Sequence, residues 1–184
     1  GKPLRTMGGL VPFVNTNESS NVINYPASTA LTWLQAGEDF IDESLEQLFR
    51  FGGDTRLAVC GSGTLLGIMR LVKLSSTFNI TPTQLAFGIS VMKWVTPFGT
   101  ILLKRHPLFT YRAHRTNDML ILDPDNIKTR PFRDTRFKKD PRINEGGYTD
   151  IDGVKEEWLT ELTYEYHWAN TMMYLTGIGL DGTA

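Results

Sequence analysis

A single cysteine, Cys60, stands among the 184 residues. That excludes an intrachain disulfide and any cysteine cluster for a metal. It lies in the apolar run 57–60 and reads as a small buried hydrophobe rather than a reactive thiol. No apolar run approaches the roughly 20 residues that span a bilayer, so no membrane partner is expected. No signal-peptide pattern opens the chain, so the triplet Asn17-Glu-Ser19 carries no weight as a glycosylation acceptor. Internal repeats and low-complexity segments are lacking as well. The three histidines, His106, His114 and His167, are far apart, and no H-E-x-x-H, G-x-S-x-G or paired-carboxylate pattern occurs. Nothing here specifies an enzyme, and no cofactor is expected.

The most unusual absence is of negative charge. Residues 55–117 carry eight basic side chains and not one carboxylate. Residues 1–54 carry three basic and seven acidic side chains, and residues 118–184 carry eight and thirteen, for a net charge of −1 overall. A basic middle could face an anionic partner such as nucleic acid. It could equally meet the acidic segments of this chain or of a neighbouring copy. The second reading carries more weight, because the eight cations are scattered from Arg56 to Arg115 and do not cluster.

What is present is an ordinary globular composition, 41% hydrophobic and 21% charged, enough for one sizeable core or one domain with a satellite. The first residue is Gly1, and residues 3–9 read like a connector, so the chain is expected to be a fragment or a processed product. Residues 1–31 are broken by Gly8-Gly9 and Pro12 and read as an extended lead-in with a loop. Residues 32–51 form the strongest helix: Trp33, Phe40, Ile41, Leu45, Leu48 and Phe49 share one face at 3.6 spacing. Thr32 caps its start, and Gly52-Gly53 supply a left-handed stop. A short buried strand follows at 57–60, then a turn at Gly61 and Gly63, then a second helix over 64–74 with Leu65, Ile68, Met69 and Val72 on one side.

Residues 87–94 and 101–105 read as a hairpin about the turn 96–100. Residues 119–122 form another apolar strand, and 127–132 continue extended. Residues 133–152 are polar and read as a surface loop or a strand pair with an exposed tip. From 158 to 178, Leu162, Tyr164, Tyr166, Trp168, Met172 and Tyr174 alternate with polar residues. That is one long final strand with an aromatic stripe. The stripe lacks the interleaved basic residues of a base-stacking platform.

Two local motifs invite ligands. A strand followed by Gly61-x-Gly63-x-x-x-Gly67 and a helix hints at a nucleotide-dependent enzyme. Yet a dinucleotide site needs an acid about 20 residues on, and no Asp or Glu occurs until Asp118. It is not a P-loop either, because no Gly-Lys-Ser/Thr follows. Asp150-x-Asp152-Gly153 resembles half a calcium loop. The first oxygen ligand is missing, so Asp150 and Asp152 are weak metal candidates beside the plainer reading of a turn.

The order of features resembles the C-terminal part of a family of tailed-phage and prophage major capsid proteins. The carrying residues are Leu31-Thr32, Leu48-Phe-Arg-Phe-Gly-Gly53, Leu57-Ala-Val-Cys-Gly-Ser62, Gly99-Thr-Ile-Leu-Leu103 with Arg105-His-Pro107, Met119-Leu-Ile-Leu-Asp-Pro124, Ile127-Lys-Thr-Arg-Pro-Phe132 and Trp158-Leu-Thr-Glu161. The resemblance implies the Hong Kong 97 capsid fold: an α+β subunit with a mixed or antiparallel sheet flanked by two helices and a long final strand. Residues 32–157 would be mainly axial domain, and residues 158–184 a strand returning to the peripheral domain. The N-terminal arm, the extended loop and the long spine helix of such proteins are missing from these residues, which agrees with a fragment. The partners implied are other copies in pentamers and hexamers, with packaged DNA on the inner surface. The locations implied are the virion shell and, before assembly, the host cytoplasm. On this reading Gly52, Gly53, Gly61 and Gly63 serve turns. Arg105, Arg112, Arg115, Glu38 and Asp42 are the candidates for charge contacts between subunits.

Overall fold

The computed structural model describes residues 8–25, 31–74, 79–85, 89–139 and 156–181. They divide into two compact units: residues 9–126 with 167–181, and residues 127–166 with Gly8.

The larger unit is built on a seven-stranded mixed sheet. Its strands are β1 (Val22–Asn24), β2 (Thr55–Cys60), β3 (Asn79–Leu85), β4 (Ile89–Val95), β5 (Thr100–Arg105), β6 (Met119–Leu122) and β9 (Met173–Thr176), and its helices are α1 (Leu10–Asn17), α2 (Trp33–Phe49), α3 (Ser62–Leu74) and α4 (Pro107–Tyr111). The strand order is β1-β9-β6-β2-β5-β4-β3. β2 runs parallel to β5 and antiparallel to β6, and β1 runs parallel to β9. The class is α+β with a mixed sheet, as expected.

Register explains the core. Ala58 lies opposite Leu103 on one side and Ile121 on the other, and Trp94 lies opposite Ile101. These residues share one sheet face, and α2 and α3 both cover it with Trp33, Ile41, Leu45, Leu48, Ile68 and Leu71. A strand's period of two meets a helix's period of 3.6 across a single dry layer. Trp33 anchors that layer. Its indole N–H donates to Gly67 O at 2.9 Å, and its ring meets Tyr25 edge-on at 4.7 Å. The α2 start is closed by Gln35, whose side-chain oxygen accepts from the Thr32 backbone N–H at 3.0 Å. Its stop is Gly52, with φ of +82°.

Several expectations need correction. Within 1–31, residues 10–17 are helical and 22–24 pair with β9, where an extended lead-in was expected. Gly9 is the N-cap, and Pro12 falls in the first turn, where its missing N–H costs no helical bond. The inward face of α3 carries Thr64, Gly67, Ile68 and Leu71, with Leu65 and Val72 packed against the core as expected; of the expected face only Met69 is exposed. The helix turns its smallest residues toward Trp33 and Gly179, and a Cβ on Gly67 would stand 2.6 Å from Gly179 Cα.

The smaller unit is an antiparallel ribbon of β7 (Ile127–Lys139) and β8 (Glu156–Tyr166). Residues 133–139 are therefore strand, the second of the two expected forms, and residues 140–152 lie outside the described residues. The long final strand is also corrected. It breaks at Trp168, which takes a left-handed φ of 52°, and the chain passes a short turn at Ala169–Thr171 before β9 pairs with β6 in the other sheet. The compact units divide the chain at 126/127 and 166/167.

Candidate assembly surfaces

The glycine corner after β2 is filled by the protein itself. Gly61 N–H donates to Asp118 O at 3.1 Å, Thr64 N–H to Thr116 O at 3.0 Å, and the Thr64 hydroxyl to Asp118 O at 3.0 Å. These are groups at the start of α3 that a phosphate would need. A Cβ on Gly61 would overlap the Thr116 carbonyl, and one on Gly63 would stand 2.7 Å from Asn117 Oδ1. Gly61 and Gly63 thus permit the 116–118 segment to pack on the corner, and the nucleotide reading gives way to a structural turn. Gly52 does the same for Arg56, whose guanidinium a Cβ there would overlap. Gly53 follows without a left-handed φ.

Arg56 shows where part of the basic middle goes. It is buried, ion-paired to Asp123 at 3.1 Å, and donates to Phe51 O at 2.6 Å. Burial lowers its pKa, and the carboxylates of Asp123, Asp54 and Asp125 oppose that shift. One cation of the acid-free stretch therefore meets an acid from the C-terminal segment. A second internal site joins Asp118 to Tyr174, whose hydroxyl donates to the Asp118 carboxylate in a buried contact. Burial raises the Asp118 pKa, against the lowering effects of Tyr174, Arg115 and His114. Burial also pushes the Cys60 thiol up to about 12, as expected of an inert core cysteine. His106 caps α4, its Nδ1 accepting from Leu108 N–H at 3.2 Å.

The remaining candidates are on the surface. Arg105 and Arg112 are exposed at either end of α4, beside Leu108 at 69% and Tyr111 at 88% exposure, and Arg115 is half-buried. Asp42 is exposed on α2, and Glu38 is half-buried one turn before it. Asp42, Glu43, Glu46, Gln47 and Arg50 line a groove closed by Phe98 from the β4–β5 turn. Burial first, then the charges of Glu38 and Asp39, raise the Asp42 pKa. No sequence signal placed Phe98 beside α2, because its neighbourhood depends on the parallel pairing of β2 with β5. Asp150 and Asp152 lie outside the described residues. Among the described residues, no group of three or more His, Cys, Asp or Glu gathers to hold a metal. Among the described residues, no helix is long and apolar enough to cross a membrane.

The ribbon sorts its side chains by face. Lys128, Arg130 and Lys138 on β7 stand opposite Glu165, Thr163 and Glu157 on β8, and ion pairs join Arg130 to Glu165 and Arg133 to Glu161. Two register shifts, between Pro131 and Arg133 and between Arg133 and Arg136, keep this face charged along its length. The other face pairs Ile127 with Tyr166, Thr129 with Tyr164, Pro131 with Leu162 and Phe137 with Trp158. Trp158 is 72% exposed there. The aromatic stripe is thus a surface of the ribbon over 158–166, whereas beyond the break Met173, Leu175 and Ile178 join the core and Met172 and Tyr174 are buried as well.

These features describe a chain with tight internal corners and broad, chemically divided outer faces. Its sequence is 22% identical over 160 residues to a major capsid protein of Pseudomonas phage PaMx41, covering 85% of this chain. The chain matches about 37% of that relative's length. The sequence profile of the SU10 major capsid protein family matches residues 1–179, nearly the whole chain. A match of that extent assigns the chain, corners and ribbon together, to the SU10 major capsid protein family.

Proposed function

We propose that this chain is part of a major capsid protein that assembles with further copies of itself into the shell of a phage head. The observation that carries this reading is the family match over residues 1–179. The role is structural, not catalytic. The fold reading is of the Hong Kong 97 type. In that reading the seven-stranded unit is the axial domain and the ribbon of β7 and β8 belongs to the peripheral domain. An isolated two-stranded ribbon is marginal in water, and one with Trp158, Phe137 and Leu162 exposed on a single face calls for a covering layer from elsewhere in the shell protein. Subunits would group into pentamers and hexamers, reside in the virion, and reach it from the host cytoplasm. Packaged DNA would lie against the inner surface.

Electron microscopy of the full-length protein tests this. Closed shells or ring-shaped capsomers are expected. A product that remains strictly monomeric across salt and crowding conditions refutes it. Binding to a DNA column with a steep salt dependence and no assembly would instead favour a nucleic-acid module.

A further inference from the structure

We propose that successive copies of this chain meet head to tail, with the basic and apolar lobe at 105–112 of one copy seated in the groove between α2 and Phe98 of the next. This rests on the reading as a shell subunit only for the identity of the occupant, a second copy.

The two surfaces are complementary in chemistry. The lobe presents Leu108 and Tyr111, 69% and 88% exposed, between the exposed cations Arg105 and Arg112. Exposed aromatic and arginine side chains side by side are the composition of an interface centre rather than of a free surface. The groove presents the exposed carboxylates of Asp42 and Glu43 above Phe98, itself 39% exposed. Glu46 already pairs with Arg50 at 2.6 Å. Crowding of Asp42 by Glu38 and Asp39 adds repulsion that an incoming arginine would relieve.

They also lie well apart on the subunit. β5 links them. Its first residue follows the turn that carries Phe98, and Thr100 N–H is held by Asp54 O at 2.8 Å. Its last residue leads into α4, where His106 N–H is held by Cys60 O at 2.9 Å. At about 3.3 Å per residue, six residues place the lobe and Phe98 roughly 20 Å apart, at opposite ends of the strand. A twofold contact that matched either surface to itself would set like charges face to face. A lobe seated in a neighbour's groove satisfies both: made reciprocally it closes at two copies, and made head to tail it closes into rings or runs on as filaments.

The test uses the full-length protein and charge reversal at each end: Arg105→Glu with Arg112→Glu, and Asp42→Arg with Glu43→Arg. All four side chains are exposed, and thermal melts by circular dichroism check that each variant folds. Each reversal is expected to lower the assembled fraction, read by sedimentation velocity, about tenfold. Mixing the two variants, or combining all four changes in one chain, is expected to restore it. Assembly unaffected by either reversal, or not restored by the combination, overturns the contact while leaving the shell reading intact. A wild-type protein that never assembles overturns both. A second variant set does not depend on charge. Tyr111→Cys and Glu43→Cys in one chain, in a full-length protein whose other accessible cysteines are replaced, should give an oxidised ladder longer than a dimer; Cys60 is buried. A product that stops at the dimer, or no crosslink, counts against the head-to-tail contact.

Discussion

Arg56 and Asp123 form an ion pair at 3.1 Å in which the arginine side chain has no exposure and the aspartate only 9%. The pair ties the first residues of β2 to the end of β6, directly beneath the Gly52 stop of α2. Removing one partner strands the other charge in the core. Asp123→Ala is expected to cost about 3–5 kcal/mol in urea denaturation. Replacing both, with Arg56→Met and Asp123→Leu, should recover most of that loss. A single change costing under about 1 kcal/mol would mean that the pair behaves as a surface pair does.

Gly61→Ala is expected to destabilise the chain by roughly 2 kcal/mol or more, because the added methyl meets backbone rather than a yielding side chain. The loss should be present without any ligand. A thermal melt of Gly61→Ala matching wild type would reopen the corner as a ligand site.

Asp118 sets a pH dependence. Its folded pKa is raised, mainly by burial, so the folded state holds that proton more tightly than the unfolded state. Its contribution to stability is then greatest at low pH and is lost as pH rises through the folded pKa. Asp118→Asn keeps an acceptor for the Tyr174 hydroxyl and removes the buried charge. It should stabilise the protein at pH 7, and the gain should shrink as pH falls into the ordinary carboxylate range. Denaturation curves at pH 7 and at about pH 4 decide it; a gain that grows on acidification contradicts the assignment.

Trp168 holds a left-handed φ of 52° with its ring 70% exposed. Asn tolerates that conformation far better. Trp168→Asn is expected to raise stability by about 1 kcal/mol in a melt. A lower melting temperature would show that the indole contributes more than its backbone costs.

The parts of the fold legible in the sequence are those fixed by local periodicity. The apolar stripe from Trp33 to Leu48, the Gly52 stop, the β4–β5 hairpin and the run at 119–122 all appear where their patterns put them. The final strand was illegible because its alternation continues across Trp168 on both sides of the break. A left-handed tryptophan leaves no trace in a pattern of period two. Pro12 was misleading for the opposite reason. As a breaker it argues against a helix, yet in a first turn it is harmless. β3 likewise tolerates Pro82 because it is the edge of the sheet. Of the charge candidates, the residue types were legible, but not that Phe98 would stand beside Asp42. That depends on which strands pair.

The backbone bond from His167 N–H to Asn126 O, 3.0 Å long, has an evolutionary consequence. It fastens together the two points at which the chain leaves the seven-stranded sheet and comes back. The segment between Asn126 and His167 therefore leaves and re-enters at adjacent points of the chain. Lengthening or trimming β7 and β8 in matched steps leaves that junction intact. Related chains could differ in the length of this segment while keeping the same seven-stranded sheet.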